Sequence, residues 1–105
     1  MRLRWTTPAA QDLYNIVLHI QQDNPAAADK VAQTLYDACD SLGDFPRRGR
    51  KGRIEGTLEL VFAGLPYIVV YRIQDQDLEI LREVELNRLT PLEALNLLAE
   101  LKKEI

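Results

Sequence analysis

The sequence predicts a single α+β domain: an antiparallel β-sheet packed on an N-terminal α-helical hairpin, with elements in the order β-α-α-β-β-β-α. Three observations predict it. Apolar residues recur at helical spacing in two consecutive stretches before Gly43, each opened by a helix-start signal. From Ile54 onward the pattern changes to alternation and to runs of β-branched and aromatic residues. Asp75-Gln76-Asp77 then separates two such runs as a hairpin turn.

Taken in order, Arg2–Trp5 alternates polar with apolar and reads as a short strand, placed at an edge of the sheet or beside a central strand. Thr7 before Pro8 opens the first helix: a hydroxyl caps the free amides, and the proline ring already holds a helical φ. Ala9, Leu13, Ile16, Val17 and Ile20 form its apolar stripe. Asp23-Asn24-Pro25 repeats the start signal, and Ala28, Val31, Ala32, Leu35, Ala38, Cys39 and Leu42 form a second stripe ended by Gly43. So short a connection folds the two helices antiparallel. Ile54–Ala63 reads as a strand with Ile54, Leu58, Leu60 and Phe62 on one face and Glu55, Thr57 and Glu59 on the other. Tyr67–Gln74 and Leu78–Glu83 complete a meander. Thr90-Pro91-Leu92-Glu93 opens a last helix with a capping box, and its leucines make a wide apolar face. The expected organisation is a domain over 1–86 and an amphipathic helical appendage over 87–105.

With 105 residues, the chain has room for one domain, which buries roughly 60% of its unfolded surface, enough for a modest core. One cysteine and one histidine exclude an internal disulfide, a multi-cysteine zinc site and a paired-histidine metal motif. No nucleophile elbow, P-loop or dinucleotide fingerprint occurs, so no cofactor, metal or catalytic residue is expected. No apolar run is long enough to span a membrane, and no signal peptide is visible; the expected location is the cytoplasm.

The net charge is −3, yet five of the thirteen basic residues, Arg47, Arg48, Arg50, Lys51 and Arg53, fall in one window with Pro46, Gly49 and Gly52. That window reads as a loop, either a solvated turn or a contact for an acidic partner. Arg72 and Arg82 lie on adjacent strands. They either share a sheet face with the loop or pair across strands with Glu59 or Glu79. Cys39, inside the second stripe, is a buried structural thiol, and His19 flanks the first stripe. Tyr14, Tyr36, Tyr67 and Tyr71 are candidates for stacking, with core or core-edge packing and a surface hydroxyl expected for most of them.

Trp5, Ala10-x-Asp12-Leu13, Asp23-Asn24-Pro25-x-Ala27-Ala28 and Phe45-Pro46…Gly49-Arg50-x-Gly52-Arg53, in this order, resemble the RelE/ParE toxin superfamily. So do Gly56-Thr57-x-Glu59-Leu60-Val61, Pro66-Tyr67-Ile68-Val69-Val70-Tyr71-Arg72-Ile73 and Glu79-Ile80-Leu81-Arg82. The resemblance covers about the first 82 residues and is strongest to the ParE branch. It implies the toxin of a type II toxin–antitoxin pair, held inactive by an antitoxin that wraps around it. On this reading Arg47, Arg48, Arg50, Lys51, Arg53, Arg72 and Arg82 meet the antitoxin.

Two activities occur in the superfamily the sequence resembles. RelE-like members cleave ribosome-bound mRNA with basic residues, whereas ParE-like members inhibit DNA gyrase without a hydrolytic site. The basic positions of the RelE pattern fall here on Glu59, Val61 and Ile68, and Glu83 and Glu85 stand where phosphate charge would sit. Carboxylates and aliphatic groups cannot stabilise a developing phosphorane, so the expected activity is gyrase inhibition. The alternatives are a RelE-type mRNA interferase and an inactive module that only binds antitoxin. The chain departs from the ParE pattern at Leu58, where an Arg usually stands. It departs again beyond Arg82, where a leucine-rich segment loosely resembles the C-terminus of mismatch-recognition ATPases. That segment is expected to fold back on the sheet as an inhibitor of its own domain, or to pair two copies into a homodimer.

Overall fold

Both helices begin where a polar side chain precedes a proline. In the computed structural model, which describes residues 1–85, the elements are β1 (Arg2–Trp5), α1 (Thr7–Gln21), α2 (Pro25–Ser41), β2 (Arg50–Lys51), β3 (Leu58–Val61), β4 (Tyr67–Gln74) and β5 (Asp77–Glu85). Asn24 caps α2, its side chain accepting from the Ala27 amide at 3.1 Å. Thr6, not Thr7, caps α1: its hydroxyl accepts from the Ala9 amide at 3.3 Å. Thr6 wins because the same hydroxyl also donates to the Ile80 carbonyl at 2.9 Å, tying the helix start to β5. Helix α2 closes at Ser41 with Leu42 as C-cap, two elements of the same turn that was expected to end at Gly43.

The sheet has five strands in the order β1-β5-β4-β3-β2. Adjacent pairs are antiparallel except β1, which lies at the edge and runs parallel to β5 with Leu3 opposite Leu78 and Trp5 opposite Ile80. The last described strand is thus inserted between the first strand and the rest of the meander.

One face carries the main core. Ala9 of α1 and Cys39 and Leu42 at α2 pack on Leu60, Val69, Tyr71, Leu78 and Ile80. Each fully buried Leu or Ile here contributes about 1.5–3 kcal/mol of transfer free energy. By strand alternation Ile68 and Val70 point to the opposite face, where they cluster with Leu81 and with Ile54 packed against them.

Two expectations need correction. The strand expected over Ile54–Ala63 is shorter: Gly56 at φ +86° turns the chain before Leu58, so Ile54 joins the far cluster instead of the Leu58–Leu60–Phe62 face. Glu59, on the face opposite Leu58 and Leu60 as expected, is buried (5% exposed) because basic groups from the preceding segment close over it. The basic window is accordingly not all loop, since Arg50 and Lys51 pair with Glu59 and Leu58 as β2.

Register shifts once. Val70 faces Arg82 while Tyr71 faces Ile80, so Leu81 is an extra residue in β5. Simple alternation would send Glu83 to the face that carries Leu81. The bulge instead places it opposite Val69, on the helix side of the sheet. No helix among the described residues is long and apolar enough to cross a membrane. The expected helix over Thr90–Ile105, with its proposed self-inhibition or dimerisation, lies outside the described residues, as does the boundary at residue 86.

Candidate partner-binding site

Two buried side chains shape the basic segment between α2 and β3. Tyr71 in β4 is fully buried, and its phenol donates to the Pro46 carbonyl and accepts from the Gly49 amide, each at 2.9 Å. Its hydroxyl is therefore not a surface group, as expected from sequence, but a clamp on a turn more than twenty residues away. Burial raises its pKa, against the lowering effects of the Gly49 amide and of Arg47 and Arg48. The approach leaves no room for a side chain at position 49, where a Cβ would stand 2.6 Å from the Tyr71 oxygen and 2.8 Å from the Glu59 carbonyl.

The second clamp is Glu59. One carboxylate oxygen accepts from the Arg50 guanidinium at 3.1 and 3.3 Å; the other accepts from the Arg53 backbone amide at 3.0 Å and lies 3.9 Å from its Nε. Arg48 donates to the Ser41 hydroxyl at 3.1 Å. Arg47 and Lys51 form no ion pair or side-chain hydrogen bond among the described residues and are exposed. Between Asp44 and Arg48 the surface is hollowed, and Phe45 at its lip is 65% exposed.

The structure brings Arg47, Arg48, Arg50, Lys51 and Arg53 together and directs Arg72 and Arg82 elsewhere. Arg72 pairs with Glu79 at 2.8 Å, one of the two cross-strand pairings expected for it, and Arg4 of β1 reaches the other Glu79 oxygen at 3.2 Å. Arg82 makes a bidentate pair with Asp12 of α1 at 2.7 and 3.0 Å. Asp12 also accepts from the Glu83 amide at 3.0 Å, so one carboxylate fastens α1 to the edge of β5. Both arginine side chains are 17% exposed, which makes these pairs part of the fold's interior.

Behind Asp12 sits a second acid. Glu83 is 3% exposed; the Cys39 thiol donates to its Oε1 at 3.6 Å, and its buried Oε2 has no hydrogen-bond partner. Burial, reinforced by the nearby Asp12 charge, pushes its carboxyl up to about 7 against the opposing effect of the thiol. Burial beside this acid pushes the Cys39 thiol well above its ordinary value, so the cysteine is inert as a nucleophile. Among the described residues no three His, Cys, Asp or Glu side chains converge as metal ligands. Trp5 stacks on Tyr36 at a ring distance of 6.3 Å.

Sequence reasoning missed Phe45, Glu59, Asp12 and the anchoring role of Tyr71. Phe45 carried a signal: it is a large aromatic outside both helical stripes, between Asp44 and Pro46. The others depend on contacts across the fold.

Residues 3–84 match the family described as the ParE toxin of the type II toxin–antitoxin system parDE. A protein of Sinorhizobium fredii named as a toxin, Y4kP, is 46% identical over 80 residues, covering 76% of this chain and 82% of that protein. Toxin RelE2 of Caulobacter vibrioides is 37% identical over 78 residues, covering 74% and 86%. Among solved structures, the chromosomal ParDE system of P. aeruginosa aligns at TM-score 0.76 and 27% identity, covering 81% of this chain and 95% of that one. The RelBE2 toxin–antitoxin complex of Mycobacterium tuberculosis aligns at TM-score 0.55 and 27% identity, covering 80% and 95%.

Proposed function

The chain belongs to the ParE toxin family of type II toxin–antitoxin systems, within the ParE/RelE superfamily, and from that premise we propose that it inhibits DNA gyrase in the bacterial cytoplasm until a cognate antitoxin neutralises it. The observation that carries the gyrase reading over mRNA cleavage is the chemistry of β3 and β4. Where the nuclease pattern the sequence resembles has basic groups, Glu59 is buried and committed to Arg50 and Arg53, while Val61 and Ile68 face each other across the strands. A carboxylate held by two arginines neither donates to a phosphorane nor frees those arginines to do so. Glu83 is a carboxyl with a pKa near 7, but it is too buried to reach a ribose hydroxyl.

The antitoxin reading is supported by the two neighbouring structures, a ParDE toxin–antitoxin system and a RelBE2 toxin–antitoxin complex. The basic segment from Arg47 to Arg53 is the surface we assign to the antitoxin, while Arg72 and Arg82 are held in ion pairs with Glu79 and Asp12. Purified full-length protein added to gyrase and relaxed plasmid should block supercoiling, while ribosome-bound mRNA in a parallel reaction should remain intact. Cleavage of the mRNA with supercoiling unaffected would replace this reading with the interferase one. Inactivity in both reactions, together with normal growth on induction, would leave an antitoxin-binding module.

A further inference from the structure

We propose that the Glu83 carboxyl, wedged where Asp12 of α1 and Cys39 of α2 meet β5, is a proton-operated latch: protonated, it lets the helical hairpin seat on the end of β5, and ionised, it drives that junction open while the rest of the sheet stays closed. Helix α1 is pinned to β5 at two points, one before and one after the extra residue Leu81. At the first, the Thr6 hydroxyl and amide both donate to the Ile80 carbonyl, at 2.9 and 3.1 Å, and no titratable group takes part. At the second, Asp12 accepts from the Arg82 guanidinium at 2.7 and 3.0 Å and from the Glu83 amide at 3.0 Å. The Glu83 carboxyl belongs to this second pin and faces the hairpin.

Its surroundings suit the neutral acid alone. From α2 comes the Cys39 thiol, a weak donor at 3.6 Å, and from α1 comes Asp12, a carboxylate of the same sign. From β4 comes Val69 opposite, with Tyr67 paired to Glu85 one step further along. Within β5 the Arg82 guanidinium is taken up by Asp12, and Glu85 follows two residues on. Oε2 is buried with no hydrogen-bond partner among the described residues. Burying a charge with one weak donor costs far more than burying an unpaired hydroxyl. Burial and the Asp12 charge accordingly hold the carboxyl at about 7. Relief needs only local movement, because the β5 residues in the main core, Leu78 and Ile80, precede the extra residue. Parting the second pin wets Glu83 while these two stay packed on Ala9 and Tyr71.

Cys39, the chain's single cysteine and fully buried, reports the opening. The full chain is labelled with methyl methanethiosulfonate at pH 6, 7 and 8, and each rate is divided by that of N-acetylcysteine at the same pH. The corrected rate should rise about tenfold from pH 6 to 8, the gain in open population when a carboxyl at about 7 returns to its ordinary 4.5 in water. Glu83→Gln should hold it constant. The urea dependence of labelling should be less than half that of global unfolding followed at Trp5. Amide exchange of wild type needs no variant: at pH 8, Glu83 should be at least tenfold less protected than Thr6. A corrected rate that is flat in wild type, or that still rises in Glu83→Gln, would overturn the proposal. So would a urea dependence equal to that of global unfolding, or equal protection at Thr6 and Glu83.

Discussion

Glu83→Gln should make the protein more stable at pH 8 and erase most of its pH dependence between pH 5 and 8. In the folded chain the Glu83 carboxyl is pushed up to about 7, from an ordinary value of 4.5, chiefly by burial. An acid that holds its proton more tightly when folded favours the folded state at low pH. That stabilisation is complete below pH 4.5 and disappears as pH rises through 7. A gap of this size corresponds to about 3 kcal/mol, of which about 2 kcal/mol falls between pH 5 and 8. Two groups act on the carboxyl: Cys39 from α2, whose thiol donates to Oε1, and Asp12 from α1, whose charge raises it further. Neither donates to Oε2, so ionisation finds no compensating bond there. Urea unfolding of wild type and Glu83→Gln at each pH, followed by tryptophan fluorescence from Trp5, gives the difference curve directly. It should open from near zero at pH 5 to about 2 kcal/mol at pH 8 in favour of the variant, a midpoint shift of about 1–2 M urea. A flat difference, or one that widens toward acid, would refute the reasoning.

Two further outcomes follow from the other buried anchors. Tyr71→Phe removes the phenol that bridges the Pro46 carbonyl and Gly49 amide, so it should cost about 1–2 kcal/mol and speed tryptic cleavage after Arg47 and Arg48; unchanged cleavage would mean the loop holds its shape without the phenol. Asp12→Ala removes the bidentate partner of the largely buried Arg82 and frees the Glu83 amide, for an expected loss of about 3 kcal/mol. Adding Arg82→Ala to Asp12→Ala should recover at least 1 kcal/mol of that loss in a double-mutant cycle, and strict additivity would argue against a coupled pair.

What the sequence made legible was set by local pattern. Both helices, the hairpin at Asp75-Gln76 and the burial of Cys39 follow from spacing and caps within a few turns of chain. The one-residue error at the start of α1 came from two adjacent threonines, decided by a carbonyl in β5 that no local rule can supply. Glu79 and Glu83 look like solvent-facing strand residues. They are buried because Arg4 and Arg72 close over the first, and because an extra residue at Leu81 turns the second inward. The basic segment was readable as a cluster, but which of its cations are paired depends on Glu59 in β3.

The placement of β5 between β1 and β4 also governs when a nascent chain becomes a finished molecule. Arg2 meets Asp77, Thr6 meets Ile80 and Asp12 meets Arg82, so the edge strand and the first helix wait for partners some seventy residues downstream. Contacts this distant delay folding, because the whole intervening chain must be closed into a loop first. The helical hairpin can form early, but during translation it has no sheet to rest on until the last described strand has been synthesised. A truncated product ending before Asp77 would expose the core faces of α1 and α2 and would be a substrate for proteolysis rather than a partial toxin. The topology thus makes a closed core an all-or-nothing outcome of synthesis through β5.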